Sequence, residues 1–246
     1  MEDVIKFKKY FDKFTSKDKN MMLKYHHSIR TMNVCKEIGK MMNLNSLDFE
    51  LIAKIGLLHD IGRFNQLEEY YSFSDKNIDH ADEGVKVLFD EDKIKNYNIE
   101  KVNYDVVRKA IRNHNKFTIE DGLNERELLF AKLIRDCDKL EILFRVGAED
   151  LIIEEDDKEI SLKVEEEFFN ENLIKTEDVI SENDKIICML AYVYDINFKE
   201  SFIYLKENEL YENIYRIIRK NKRFKKYFDK VYQYIDLKIK EDYYVR

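Results

Sequence analysis

The 246-residue chain has no proline, no tryptophan and only six glycines. Proline and glycine are the residues that break helices and build turns, so their scarcity excludes collagen-like, linker-rich and turn-dense β architectures. The three cysteines, Cys35, Cys137 and Cys188, are isolated and odd in number. That excludes a disulfide framework and fits reduced, small, buried residues of a cytoplasmic protein. No window approaches the ~20 apolar residues of a membrane span. The opening stretch MEDVIKFKKYFDKF mixes charges throughout and lacks the apolar centre of a signal peptide. Positive charge is not in excess either: 43 basic against 50 acidic side chains give a net charge of -7. A general nucleic-acid binder is therefore not expected, whereas a small phosphorylated ligand needs only local positive charge.

What the chain has is charge and apolar residues in helical order. Charged residues make up 38% and hydrophobic residues 44%, enough for a sizeable core under a heavily solvated surface. A short amphipathic helix is expected over 5–14 and a stronger one over 20–43, where Leu23, His27, Val34, Ile38 and Met41 recur at three- and four-residue steps. A third helix, opened by Ser46 with Glu50 nearby, covers about 47–61 and ends on His59-Asp60, with Gly62 breaking it. Residues 63–79 lose the period and read as a functional loop. Helices then restart at His80, over 102–114, and over 125–146, where Leu128, Ala131, Ile134 and Asp138 share a side. Beyond the acidic stretch 150–160 come amphipathic segments over 162–172, 183–195, 199–205, 208–220 and 223–241. No repeat and no convincing strand alternation is present. The expected class is all-α, with a core over 1–150 and a helical C-terminal extension over 151–246.

Histidine is also scarce: His26, His27, His59, His80 and His114 are the whole set. Adjacent helical residues point about 100° apart, so His26 and His27 cannot both face inward, and the apolar stripe assigns His27 to the interior. Buried imidazole and carboxylate are costly unless paired or bound to metal. His59 has Asp60 beside it, and Asp138 falls among apolar neighbours, so one buried metal site accounts for them better than separate surface roles. Imidazole with carboxylate suits Fe, Mn, Zn or Ni, with Mg possible. Two metals bridged by one carboxylate can hold a hydroxide, lower its pKa and clamp an in-line displacement at phosphorus. The basic run Arg219–Lys226 reads as a solvated helix face.

The order His27 … His59-Asp60 … Asp138 resembles the HD-domain metal-dependent phosphohydrolases. The segments LLHDIGRF, DHADEGVKVLF, AIRNHNKF and LFAKLIRDCDKLEILFRV follow one another as in a bacterial HD-domain hydrolase group, and the added His80 and His114 resemble the subset with a two-metal centre. The resemblance spans His27 to Val146. It implies a first metal on His27, His59, Asp60 and Asp138, and a second, bridged by Asp60, on His80 and His114. It implies that Arg63, which reads equally as a solvated loop arginine, meets a phosphate oxygen, with Lys116 and Arg135 as weaker candidates that read more readily as surface charges. The implied activity is hydrolysis of a nucleotide or other small phosphate ester, with Asp60 orienting or deprotonating the water. The alternatives are a di-iron oxygenase with the same ligands and a non-catalytic nucleotide-binding sensor. A homodimer is compatible with the C-terminal extension.

Overall fold

The computed structural model describes residues 2–15, 17–148 and 153–241. Among the described residues the chain is all-α, with helices joined by short 3-10 turns and no strand. It divides into two compact units, Met1–Asp138 and Lys139–Arg246.

In the first unit, α1 (Glu2–Phe11) precedes α2 (Lys19–Met41), whose N-cap Asp18 accepts from the Met21 amide at 2.9 Å. Asn45, not Ser46, caps α3 (Ser46–Leu58): its side-chain oxygen accepts from the Leu47 and Asp48 amides, both at 3.0 Å. Seven of the last eight residues of α3 are buried, so it is a central helix, apolar almost all round. After a turn at His59–Ile61 the chain re-enters a helix, α4 (Gly62–Tyr70).

That helix corrects two expectations, the break at Gly62 and the loop from residue 63. Only Phe64 and Leu67 mark it in a polar stretch. Its stability comes from tertiary packing, since the Phe64 ring lies 5.6 Å from Phe7 and 5.3 Å from Phe11. Gly62 serves close approach instead of termination: a Cβ there would lie 2.2 Å from the His80 carbonyl oxygen and 2.4 Å from the Gly84 nitrogen. The irregular segment is thus confined to 71–79.

Asp79 caps α5 (His80–Val85), which runs on as a single π-helical turn, Lys86–Asp90. Then come α6 (Tyr104–Asn113) and α7 (Glu125–Gly147). The division between the two units falls inside α7, after Asp138.

The second unit continues with α8 (Leu162–Phe169), α9 (Glu182–Leu190), α10 (Lys199–Glu207), α11 (Leu210–Ile218) and α12 (Lys225–Glu241). The expected helix over 183–195 tightens into a 3-10 turn at Ala191–Asp195. The strand-free segment before α8 is tied down by two buried residues at the start of α9. Asn183 Nδ2 donates to the carbonyls of Asp156 (2.8 Å) and Lys158 (2.7 Å). Asp184 accepts from the Ser161 amide (2.8 Å), the Ser161 hydroxyl (2.6 Å) and the Ile180 amide (3.2 Å). The basic run pairs with acids of its own unit, Lys226 with Glu165 and Arg223 with Glu159, as a solvated face does.

Candidate metal centre

Five helices bring the scarce histidines and two aspartates together. His27 comes from the buried face of α2, His59 and Asp60 from the turn after α3, His80 from the first residue of α5, His114 from the C-cap of α6, and Asp138 from α7. All four imidazoles and Asp60 are at most 3% exposed, and the Asp138 side chain is 18% exposed. His26 is on the surface against the Tyr25 ring.

The ring nitrogens sort into outward and inward sets. His59 Nδ1 lies 2.8 Å from the Gly56 carbonyl, His114 Nδ1 2.6 Å from the Ile111 carbonyl, and His80 Nδ1 2.7 Å from Asp75 Oδ1. A carbonyl or carboxylate oxygen can only accept, so each of these Nδ1 atoms carries the hydrogen. In a neutral ring the Nε2 atom is then a lone pair, and it points inward. Outer hydrogen bonds of this kind fix tautomer and ring orientation in metal-ligating histidines.

The inward atoms form two groups around one carboxylate. His27 Nε2 and His59 Nε2 are 3.2 Å apart, each 3.4 Å from Asp60 Oδ2, and 3.0 and 3.6 Å from Asp138 Oδ1. His80 Nε2 and His114 Nε2 are 3.0 Å apart, and 3.3 and 3.6 Å from Asp60 Oδ1. Each oxygen of Asp60 therefore serves a different pair. His27, His59 and Asp60 form one group that could hold a metal ion, and Asp60, His80 and His114 form another.

Charge follows the same division. Burial opposes the imidazolium of His59, but the carboxylates of Asp60 and Asp138 outweigh it and raise the group to about 10. At neutral pH in the metal-free protein, a proton thus stands between His59 and those acids. Burial pushes His80 down to about 4, against the pull of Asp75 and Asp60, and His114 is lowered by burial as well. These two rings are neutral, so at 3.0 Å two lone pairs face each other with no proton between them. Such an arrangement is unfavourable unless a cation occupies the space. Burial would raise the Asp60 carboxyl, but Lys24 and His59 hold it well below the usual range, and His27 and His59 do the same for Asp138. The donor set of imidazole and ionised carboxylate fits a divalent transition metal.

The structure also assigns two residues that the sequence did not single out. Lys24, one turn before His27, donates to Asp60 Oδ2 at 2.6 Å. Asp75 accepts from His80, from Arg63 Nη1 at 3.1 Å and from the buried Gln66 Nε2 at 2.8 Å. Spacing along α2 could have flagged Lys24; nothing local could have singled out Asp75 among the polar residues of its segment.

The three basic residues proposed for phosphate are placed differently from one another. Arg63 lies against the centre, its Nε 3.6 Å from Asp60 Oδ1, while Nη1 is held by Gln66, Asp75 and the Phe73 carbonyl. Lys116 Nζ pairs with Asp79 at 2.7 Å. Arg135 corrects the surface-charge expectation: it is 2% exposed, and its Nη1 donates to the carbonyls of Asn113 (2.8 Å) and Lys116 (2.5 Å). It holds the turn after α6, and so the backbone that carries His114.

The family model of the HD domain matches residues 25–143. That stretch matches the HD-domain family, whose members bind divalent metals and are commonly hydrolases. The comparison with curated proteins gives no match, and neither does the comparison with solved structures. No helix among the described residues is long and apolar enough to cross a membrane.

Proposed function

We propose that this chain is a two-metal phosphohydrolase acting on a small phosphate ester, a nucleotide being the leading class. The observation that carries the reading is the split of one buried carboxylate between two histidine pairs. Asp60 offers Oδ2 to His27 and His59 and Oδ1 to His80 and His114. His27, His59, Asp60 and Asp138 would hold one cation; Asp60, His80 and His114 would hold the other. When bound, such a pair supplies Lewis acidity to a phosphoryl oxygen and lowers the pKa of water.

The chain's own residues do the rest. Gly56, Ile111 and Asp75 fix the ring tautomers, so the Nε2 lone pairs stay aimed inward. Asp60, ionised at working pH, orients the attacking water or takes its proton. Burial of the four rings keeps bulk water out, which strengthens every charge interaction at the centre.

The first experiment is metal content after purification without chelator. About two metals per chain are expected, falling to about one in His80→Ala, as a centre with two cations requires. The loaded protein is then offered nucleoside phosphates and simple aryl phosphates with Mn, Fe or Zn. Phosphate release with redox-inert Zn supports hydrolysis. One metal in both proteins would remove the second site, and oxygen consumption with Fe(II) in place of phosphate release would move the chain to oxygenase chemistry.

A further inference from the structure

Lys24 has no part in the reading so far. Its ammonium lies 2.6 Å from Asp60 Oδ2, the same oxygen that the Nε2 atoms of His27 and His59 each approach to 3.4 Å. An ammonium and a divalent cation in the first group would therefore compete for one acceptor. Two like charges on one oxygen repel, and the stronger Lewis acid keeps it.

The released ammonium has somewhere to go. Its side chain is 15% exposed, and Nζ lies 5.8 Å from the centroid of the Phe73 ring, which is itself 38% exposed. The stem has four flexible carbons, and the head donates in any of three directions. The other cations of the neighbourhood have partners for most of their donors, the buried Arg63 Nε excepted. Arg63 Nη1 is shared among Gln66, Asp75 and the Phe73 carbonyl, Lys116 is on Asp79, and Arg135 is on backbone carbonyls. Lys24 is the base hydrogen-bonded to an oxygen that a metal would claim; Arg63 Nε faces the other oxygen, Asp60 Oδ1, at 3.6 Å, too long for a hydrogen bond.

We infer that Lys24 is a phosphate-binding cation of this centre, parked on Asp60 in the metal-free protein and passed to a phosphoryl oxygen once a metal takes that carboxylate. The inference rests on the phosphohydrolase reading. No covalent bond changes in the exchange: Lys24 keeps its proton, Asp60 trades one cation for another, and the ammonium trades one anionic oxygen for another. The role implied for Arg63 thus falls also to a residue on α2, while Arg63 Nη1 holds the 71–79 segment and its Nε stays 3.6 Å from Asp60 Oδ1.

The test uses the full-length protein, Lys24→Met and Lys24→Arg. Mn(II) affinity is measured by competition with a chelator, and inorganic phosphate binding to the Mn-loaded protein by calorimetry. Lys24→Met should bind Mn(II) more tightly than the wild type, because a competitor is gone, and phosphate about ten- to a hundredfold more weakly, the loss of one charge-assisted hydrogen bond. Lys24→Arg should restore much of the phosphate affinity, and it covers the case in which the methionine variant fails to fold. Mn(II) affinity equal to or weaker than wild type in Lys24→Met, or unchanged phosphate affinity, overturns the inference. The two readings fail separately. A wild type that hydrolyses esters while Lys24→Met binds phosphate normally sinks the Lys24 role alone. A wild type that binds phosphate through Lys24 but releases none from any ester sinks hydrolysis alone.

Discussion

At the scale of the residue, the centre is governed by which atoms hold protons. His59 is raised to about 10 in the metal-free chain by Asp60 and Asp138 acting against burial. Its stabilising charge is fully present below the ordinary histidine value of about 6.5 and is lost as pH rises through about 10. A metal must displace that proton, so metal binding and this source of stability run in opposite directions with pH. Between pH 7 and 9, affinity at the first group should rise by about tenfold per pH unit, the slope for one released proton. Calorimetry in buffers of different ionisation enthalpy measures the release directly, and a pH-independent affinity would contradict it. Asp75 gives a second test at this scale. Asp75→Asn removes the charged acceptor that holds His80 Nδ1 at 2.7 Å, while no atom of the first group touches it in the contacts above. Affinity at the second group should fall about 10- to 100-fold with the first unchanged, read from a two-site metal titration. The histidines and Asp60 were legible because ionisable residues on apolar stripes are rare and call for an explanation. Asp75 was not, because a polar residue in a polar segment carries no signal until the fold decides what it faces.

At the scale of the element, two helix junctions carry the testable content. Helix α4 was illegible from periodicity, since two apolar residues in nine residues do not define a stripe; it forms because α1 supplies an aromatic surface for Phe64. The same helix starts on Gly62, packed against the backbone of α5. Gly62→Ala sets a Cβ 2.2 Å from the His80 carbonyl oxygen and 2.4 Å from the Gly84 nitrogen. Neither is the movable end of a side chain, so α4 and α5 must part. The variant should lose about 3 kcal/mol by denaturant titration and bind the second metal poorly, because His80 is the first residue of α5. Wild-type stability would mean that the junction is loose. In the second unit, Asp184 joins α9 to the segment before α8 through two donors of Ser161, and it accepts from the Ile180 amide as well. Burial opposes its charge, yet the Ser161 hydroxyl and amide lower its pKa. Its contribution is therefore present above the ordinary aspartate value of about 4 and is lost as pH falls through the lowered one. Asp184→Ala should cost about 3 kcal/mol at pH 7 and lose most of that penalty in strong acid.

At the scale of the whole molecule, every proposed ligand lies in the unit Met1–Asp138, and the division from Lys139–Arg246 falls directly after Asp138. No change of composition marks that point, because α7 keeps its helical pattern on both sides of it; a boundary inside a regular helix cannot be read from periodicity. The placement makes the metal-free first unit a strained object. It buries four imidazoles, the ionised Asp60 beside a partly exposed Asp138 carboxylate and, between His80 and His114, two facing lone pairs. A cation that binds the folded unit and not the unfolded chain stabilises it by about 2.7 kcal/mol at a hundred times its dissociation constant. For a chain of this length that is a rise in Tm of about 5–10 °C. Adding Mn or Zn to chelator-treated protein should produce that rise, and hydrogen exchange should slow in α2, α3, α5, α6 and the part of α7 before Asp138. Asp60→Asn, which weakens both groups at once, should keep the helical circular dichroism and lose most of the shift. A metal that raised Tm equally in wild type and Asp60→Asn would be binding somewhere other than the histidine centre.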